Sequence, residues 1–330
     1  MEAGALTLTN YLEHPLVVGD PDVAGPLAVF PLFGPAARLE YQSFAQGAAH
    51  GVSIKELAGG ASVNDLVVHN PTSLPLLLFE GEEVLGAQQN RTFDVSVLVG
   101  AASTVTVPVS CVEAGRWDGS RHSEDFAPAP QAAYPSLRRL KNEAVYASVV
   151  RGAEARADQG AVWEEVDHKL GLLSAAAPTR AMHDGYEARR RELADLTGAC
   201  SVKPQQTGML VAIGGDFTVL DHVSQPLVLG SLHEPLVQGY ALDALGVADA
   251  EVPSVDRATE FVESLLAAPV LERDGLGLGR DVRLESVAVT AAGVVCADEI
   301  VQLSVFAGGG NRAADGAVQG TRIRRPSRRR

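Results

Sequence analysis

The residues best suited to chemistry stand close together between Glu80 and Trp117. The first group is Glu80-Gly81-Glu82-Glu83-Val84-Leu85-Gly86-Ala87-Gln88-Gln89-Asn90-Arg91, set between strongly apolar runs. Its polar side chains must be exposed or hydrogen-bonded, because burying one unpaired costs roughly 2–7 kcal/mol. An arginine beside amides can grip a carboxylate or phosphate through its planar guanidinium fork. With an extended backbone after Gly86, Gln89 and Arg91 share one face, and Gln88 and Asn90 the other. The bland alternative is a hairpin connection with a solvated polar surface.

The second group is Pro108-Val109-Ser110-Cys111-Val112-Glu113-Ala114-Gly115-Arg116-Trp117. In a strand, Cys111 and Glu113 point to the same face. Cys111 is a nucleophile only if Arg91 or Arg116 offsets the neighbouring carboxylate, which raises a thiol pKa. Its other reading is a small buried hydrophobe. Glu113 paired with an arginine is the better site carboxylate, and Trp117 either caps a pocket or sits half-buried in the core. The site expected from these residues is a pocket for a small anionic ligand. Arg91 and Arg116 hold the anion, Gln89 and Asn90 orient it, Trp117 closes over it, and Glu113 or Glu82 serves as general acid or base. A divalent cation on Glu80, Glu82 or Glu113 is a further alternative. The eight histidines are scattered without an HxH pair, and no phosphate loop, dinucleotide fingerprint, GxSxG elbow or HExxH is present, so the residues name no metal and no cofactor.

The elements that must position these groups are legible as runs and breaks. Leu27–Phe33 and Leu74–Phe79 are apolar throughout, as strands buried on both faces are. Val52–Leu57, Phe93–Val99 and Thr104–Val109 alternate with period two. Phe126-Ala127-Pro128-Ala129-Pro130-Gln131 reads as a linker. Beyond it, Leu137, Leu140, Val145, Val149 and Val150 are spaced for one apolar helical face, and further helices run to about residue 198. Met209–Ile213, the turn Gly214-Gly215 and Phe217–Leu220 form a hairpin, Leu227–Leu245 is helical, and Ser254 caps a helix over 255–266. Three strands follow up to Phe306. The expected fold is α+β: a sandwich- or barrel-like β-rich lobe over 1–135 that carries the site, a helical segment and mixed α/β lobe over 136–307, and a basic tail over 308–330.

The chain has 330 residues, 46% of them hydrophobic and 21% charged, which supports a large core and excludes a disordered chain. No apolar run reaches the roughly 20 residues needed to span a bilayer, and the first residues do not resemble a signal peptide, so the expected location is cytoplasmic. Three cysteines without a CxxC pair argue against a disulfide framework or a structural zinc. The net charge of −14 disfavours nucleic acid. The exception is the tail, where Arg322, Arg324, Arg325, Arg328, Arg329 and Arg330 cluster.

The ordered motifs Gly81-Glu82-Glu83, Gly86–Thr92 and Pro108–Glu113 with Gly115-Arg116-Trp117 resemble the ARG and rhodanese-phosphatase-superfamily-associated protein domain family. The resemblance runs from about Val29 to Ala297 and takes in Val162-Trp163, Met209–Ile213 and Tyr240-Ala241-Leu242. It departs at Gln88, where the family pattern implies a lysine. The family's name implies a setting of nucleotide, ADP-ribose or phosphoester metabolism and specifies no activity. Two functions follow as expectations: binding, with or without turnover, of such a ligand in the β-rich lobe, or a non-enzymatic scaffold acting through the helical segment or the basic tail.

Overall fold

The computed structural model describes residues 6–60 and 62–308. Strands β1 (Val17–Val18), β2 (Asp22–Ala24) and β3 (Leu27–Phe33) come first, then β4 (Gln42–Ser43), helix α1 (Phe44–Ala48), β5 (Ser53–Lys55), β6 (Asp65–Asn70) and β7 (Leu76–Leu78). The motif region holds β8 (Glu82–Leu85), β9 (Arg91–Phe93), β10 (Val97–Val99), β11 (Ser103–Cys111) and β12 (Ala127–Ala132). Helices α2 (Pro135–Val150), α3 (Gln159–Leu172), α4 (Met182–Ala188) and α5 (Arg190–Thr197) follow. The chain continues as β13 (Gly208–Ile213), β14 (Asp216–Val223), α6 (Pro226–Ala244), α7 (Val255–Leu266), β15 (Leu271–Asp274), β16 (Arg280–Glu285), β17 (Val289–Cys296) and β18 (Glu299–Ala307). The fold is α+β. The basic tail expected over 308–330 lies, beyond Gly308, outside the described residues.

Three sheets form. The largest runs β1-β3-β13-β14-β18-β17-β16-β15, with β2 also on β3, so residues 17–33 hydrogen-bond into the layer built by 208–307. Its strands alternate between two cores. Leu27, Val29, Met209 and Val211 pack with α3 and α6, whereas Ala28, Phe30, Leu210 and Ala212 pack with α7. Burial on both faces explains the unbroken apolar run of β3. A six-stranded sheet, β12-β8-β9-β11-β6-β5, and a three-stranded sheet, β10-β7-β4, share the third core, which includes Ile54, Leu76, Leu78, Val84, Phe93 and Val107.

Several sequence expectations are corrected. The Pro/Ala stretch is no linker but the edge strand β12, paired on one side with β8. Prolines are tolerated there because an edge strand leaves N–H positions without a ladder partner. The alternating run from Phe93 to Val99 is two strands in two sheets, divided where Asp94 accepts from Ser110 Oγ at 2.6 Å and pairs with Lys141 at 3.2 Å. Helix α2 buries Leu137 and Val145 as expected but leaves Val150 exposed, and its buried stripe also carries Arg138, Lys141 and Asn142. Ser254 does cap α7, accepting from the N–H of Arg257.

That charged stripe ties the layers together. Arg138 donates to Glu80, with Nη2 to Oε1 at 2.5 Å, and to both oxygens of Asp221 on β14 at 2.7 Å. Tyr240 of α6 and Ser304 of β18 complete the Asp221 shell, and the rings of Phe79 and Phe306 lie 5.3 and 5.0 Å from the guanidinium. Gly81 belongs to the same device. Its φ is +83°, and a Cβ there would stand 2.7 Å from Arg138 Cδ, so only glycine lets the chain turn this tightly beside the guanidinium. Arg138→Ala strands two buried carboxylates, and urea unfolding should register a loss of about 3–5 kcal/mol. A loss under about 1 kcal/mol would mean that the network does not hold the layers together.

Candidate functional site

The polar motif forms the β8–β9 hairpin and is buried rather than solvated: Glu82, Glu83, Gln88, Gln89, Asn90 and Arg91 are all inaccessible or nearly so. Residues 86–90 are not extended, as one reading of the sequence assumed, but form the hairpin turn. Within it, buried Ala87 adopts φ +41°, a left-handed conformation that costs a side-chain-bearing residue roughly 1–2 kcal/mol. Something must hold the turn in place, and Arg116 does.

Arg116 is a clamp. It donates twice to Glu113, from Nε at 2.8 Å and from Nη2 at 2.6 Å, to the Ala87 carbonyl at 2.7 Å and to Asn90 Oδ1 at 3.0 Å. Glu113 also accepts from the Asn90 N–H and from the Thr179 hydroxyl. Burial pushes its carboxyl up, but these donors outweigh burial and bring it below the ordinary value. Gly115 allows the close approach to the helical segment, since a Cβ there would lie 2.8 Å from the Thr179 carbonyl oxygen. The structure therefore joins Glu113, Arg116 and Asn90 as expected, but in a saturated brace. Arg116 is spent on protein partners, and Glu113 is held as an ionised acceptor.

Arg91 is different. Register sets it beside Val84 on β8 and Cys111 on β11, so the three share one face of the sheet. Its exposure is 0%. Its nearest acid is neither Glu113 nor Glu82 but Glu56, whose Oε1 lies 3.8 Å from Arg91 Nη2. Glu56 was missed in the sequence, although the alternation of Val52–Leu57 puts it on the same face as the core residue Ile54. The pair is buried but not hydrogen-bonded: Arg91 Nε and Nη2 and both Glu56 oxygens have no partner among the described residues. Gln88 Oε1, Gln89 Oε1 and Trp163 Nε1 are likewise unpartnered. Burial pushes the Glu56 carboxyl up, against the pull of Arg91 and of the nearby Gln88 backbone N–H, which does not close a hydrogen bond of good geometry.

The remaining residues frame this cluster. Trp117, 51% exposed, lies over the Arg91 guanidinium with its ring centre 5.8 Å away. Gln88 joins His122 at 3.0 Å, so the segment from Glu113 to Phe126 forms a cover over the hairpin. Gln89 Nε2 donates to the Glu113 carbonyl. Burial pushes the Cys111 thiol up, more than Arg91 draws it down, so Cys111 stands in the cluster as a neutral thiol. Glu82 turns back to accept from the Phe79 N–H at 2.7 Å, and burial raises its carboxyl to about 7. The cation alternative fails on the donor set: Glu80 is taken by Arg138 and Glu113 by Arg116. Among the described residues, no group of three or more His, Cys, Asp or Glu has metal-ligand geometry.

Glu83, on the opposite face of β8 from Arg91, accepts from Gln131 Nε2 at 2.6 Å, and the same amide reaches His183 Nδ1 at 2.8 Å. Burial, with Glu113 and Asp184 nearby, raises Glu83 to about 8 despite Gln131. An unfolded glutamate titrates near about 4.3. Between those values the folded chain keeps a proton that the unfolded chain has lost. Stability should therefore fall as pH rises through that window, at up to about 1.4 kcal/mol per pH unit. Glu83→Gln removes this term, so its stability relative to the native chain should improve from about pH 5 to about pH 8 in denaturant titrations. A difference independent of pH would contradict the buried, protonated Glu83.

No helix among the described residues is long and apolar enough to cross a membrane. No curated protein matches the chain, and no solved structure does. The model of one family, described as the ARG and Rhodanese-Phosphatase-superfamily-associated Protein domain, matches residues 15–306, and with the motif residues gathered at the β8–β9 hairpin the chain belongs to that family.

Proposed function

We propose that the chain binds a small polar ligand with an anionic group, of the nucleotide, ADP-ribose or phosphoester kind, at the Arg91 cluster of its β-rich part. One observation carries this reading: a buried guanidinium with two unpartnered nitrogens faces a buried carboxylate with two unpartnered oxygens, 3.8 Å apart. More than nine-tenths of buried polar groups in folded proteins find a partner in the protein or in ordered water, and a charged pair with unpartnered atoms on both sides is a place where a ligand can supply them. The family name adds a setting of phosphoester and ADP-ribose chemistry. Arg91 grips the anion, Gln88 and Gln89 keep only their side-chain oxygens free as acceptors, and Trp117 with the segment behind it closes the site. The cover is joined to the hairpin turn by polar contacts through Arg116, Asp118 and His122. Arg116 and Glu113 support the site from outside it. Turnover, if the ligand is a substrate, has Glu56 and the Cys111 thiol at hand beside Arg91.

Arg91→Ala tests this directly. A ligand held by Arg91 at a hundredfold excess over its Kd stabilises the native chain by about 2.7 kcal/mol and raises its Tm. A panel of nucleotides and sugar phosphates should contain such a compound, and Arg91→Ala should abolish its effect. The unliganded variant should lose little, because the Glu56 carboxyl, already pushed up by burial, takes up a proton once the Arg91 charge is gone. A loss of about 3–5 kcal/mol with ligand-induced shifts intact would assign Arg91 to bracing the fold. The scaffold reading predicts no shift with any compound.

A further inference from the structure

The unpartnered atoms at the Arg91 cluster also specify what kind of anion fits. The free donors are Arg91 Nε and Arg91 Nη2, while Trp163 Nε1 faces the Cys111 thiol. The acceptors are Glu56 Oε1 and Glu56 Oε2, with Gln88 Oε1 and Gln89 Oε1 in the turn between β8 and β9. A phosphate or carboxylate anion offers only acceptors, so it satisfies the guanidinium and leaves the Glu56 carboxylate and the Gln88 carbonyl without partners. Those acceptors gain nothing from such an anion, and the Glu56 carboxylate repels it. A ligand that satisfies both halves brings hydroxyl donors as well as the anion.

We infer that Glu56 is a specificity residue and that the ligand class is a sugar phosphate whose vicinal hydroxyls donate to the two Glu56 oxygens while its phosphate meets Arg91. This inference rests on the reading of Arg91 as an anion site. Three features of the chain carry it. Glu56 is 5% exposed, Arg91 is 0% exposed, and neither spends a hydrogen bond on the other. The two oxygens of one carboxylate form a paired acceptor that suits two adjacent hydroxyls, as acidic side chains do at ribose hydroxyls elsewhere. Gln88 Nε2 is engaged with His122, which turns its free carbonyl oxygen to the role of a further acceptor. The rival role for Glu56 is charge neutralisation alone. The 3.8 Å ion pair already supplies that role, which predicts no preference for vicinal hydroxyls and so separates from the specificity role in the titration below.

The test uses the full chain and the fluorescence of its two tryptophans, because Trp117 lies over Arg91 and Trp163 stands beside the Cys111 thiol. Ribose 5-phosphate, 2-deoxyribose 5-phosphate and methyl phosphate are titrated in turn. The expected affinities fall in that order, by roughly tenfold or more between first and last, because each step leaves further buried acceptors unpaired. Glu56→Gln should lose that preference: ribose 5-phosphate weakens by roughly tenfold or more, while methyl phosphate binds as well or better once the nearby negative charge is gone. Equal affinity of the native chain for all three compounds would overturn the inference and leave the anion site standing. So would a Glu56→Gln variant that keeps the native order. Failure of every phosphate compound to bind the native chain would instead refute the anion site itself. Should Glu56→Gln fail to fold, the order of the three ligands on the native chain decides the matter alone.

Discussion

The Arg138 guanidinium is the contact on which the architecture depends. It is a cation at 0% exposure, reaching Glu80 just before β8, Asp221 on β14 and Ser304 on β18. Burying such a charge is tolerable only with complete pairing, and the pairing specifies geometry. The start of β8 must meet helix α2, and α2 must face the large sheet. Lys141, one turn further along, repeats the logic by donating to the Phe93 carbonyl and pairing with Asp94. The β8–β9 hairpin is thus fixed at its base by two buried cations from one helix. Hydrophobic burial supplies most of the stability, while these ion pairs select one arrangement of the layers.

Beyond that base, the hairpin turn is held by a second device, the Arg116 clamp on Ala87, Asn90 and Glu113. The strained backbone of Ala87 persists because Arg116 holds its carbonyl. Between the two devices lies the Arg91–Glu56 cluster, where both side chains carry buried polar atoms without a partner among the described residues. Two clamps, one at the base of the hairpin and one at its turn, leave the pair between them in place without a hydrogen bond of its own, as a support leaves a site.

Much of the fold was legible in the sequence because local rules decided it. The unbroken apolar runs of β3 and β7, the Gly214-Gly215 turn and the Ser254 cap all carry their cause within a few residues. The misreadings share one origin, which is contacts distant in sequence. Arg138 and Lys141 look like the outer face of an amphipathic helix, and only Glu80, Asp94 and Asp221 make them inner residues. Pro128 and Pro130 look like a linker because nothing local says that β12 is an edge. The site divides in the same way. Arg91 was recognisable as a permanent cation between apolar strands. Glu113 and Arg116, three residues apart, were recognisable as a pair but not as a brace, since Thr179 and the Asn90 N–H complete it from elsewhere in the chain. Glu56 was readable only as the polar member of an alternating strand, and its meeting with Arg91 depends on how the six-stranded sheet curls.

The central claim is that the Arg91–Glu56 cluster is a site completed by atoms from outside the chain. Electron density at high resolution from crystals of the native protein tests it most directly. The account predicts ordered non-protein density, from water or a bound small molecule, contacting Arg91 Nη2 and at least one Glu56 oxygen, with the two side chains still apart. A direct hydrogen-bonded pair, with nitrogen and oxygen within about 3 Å, every polar atom of the cluster partnered by the chain and no density between, would contradict it.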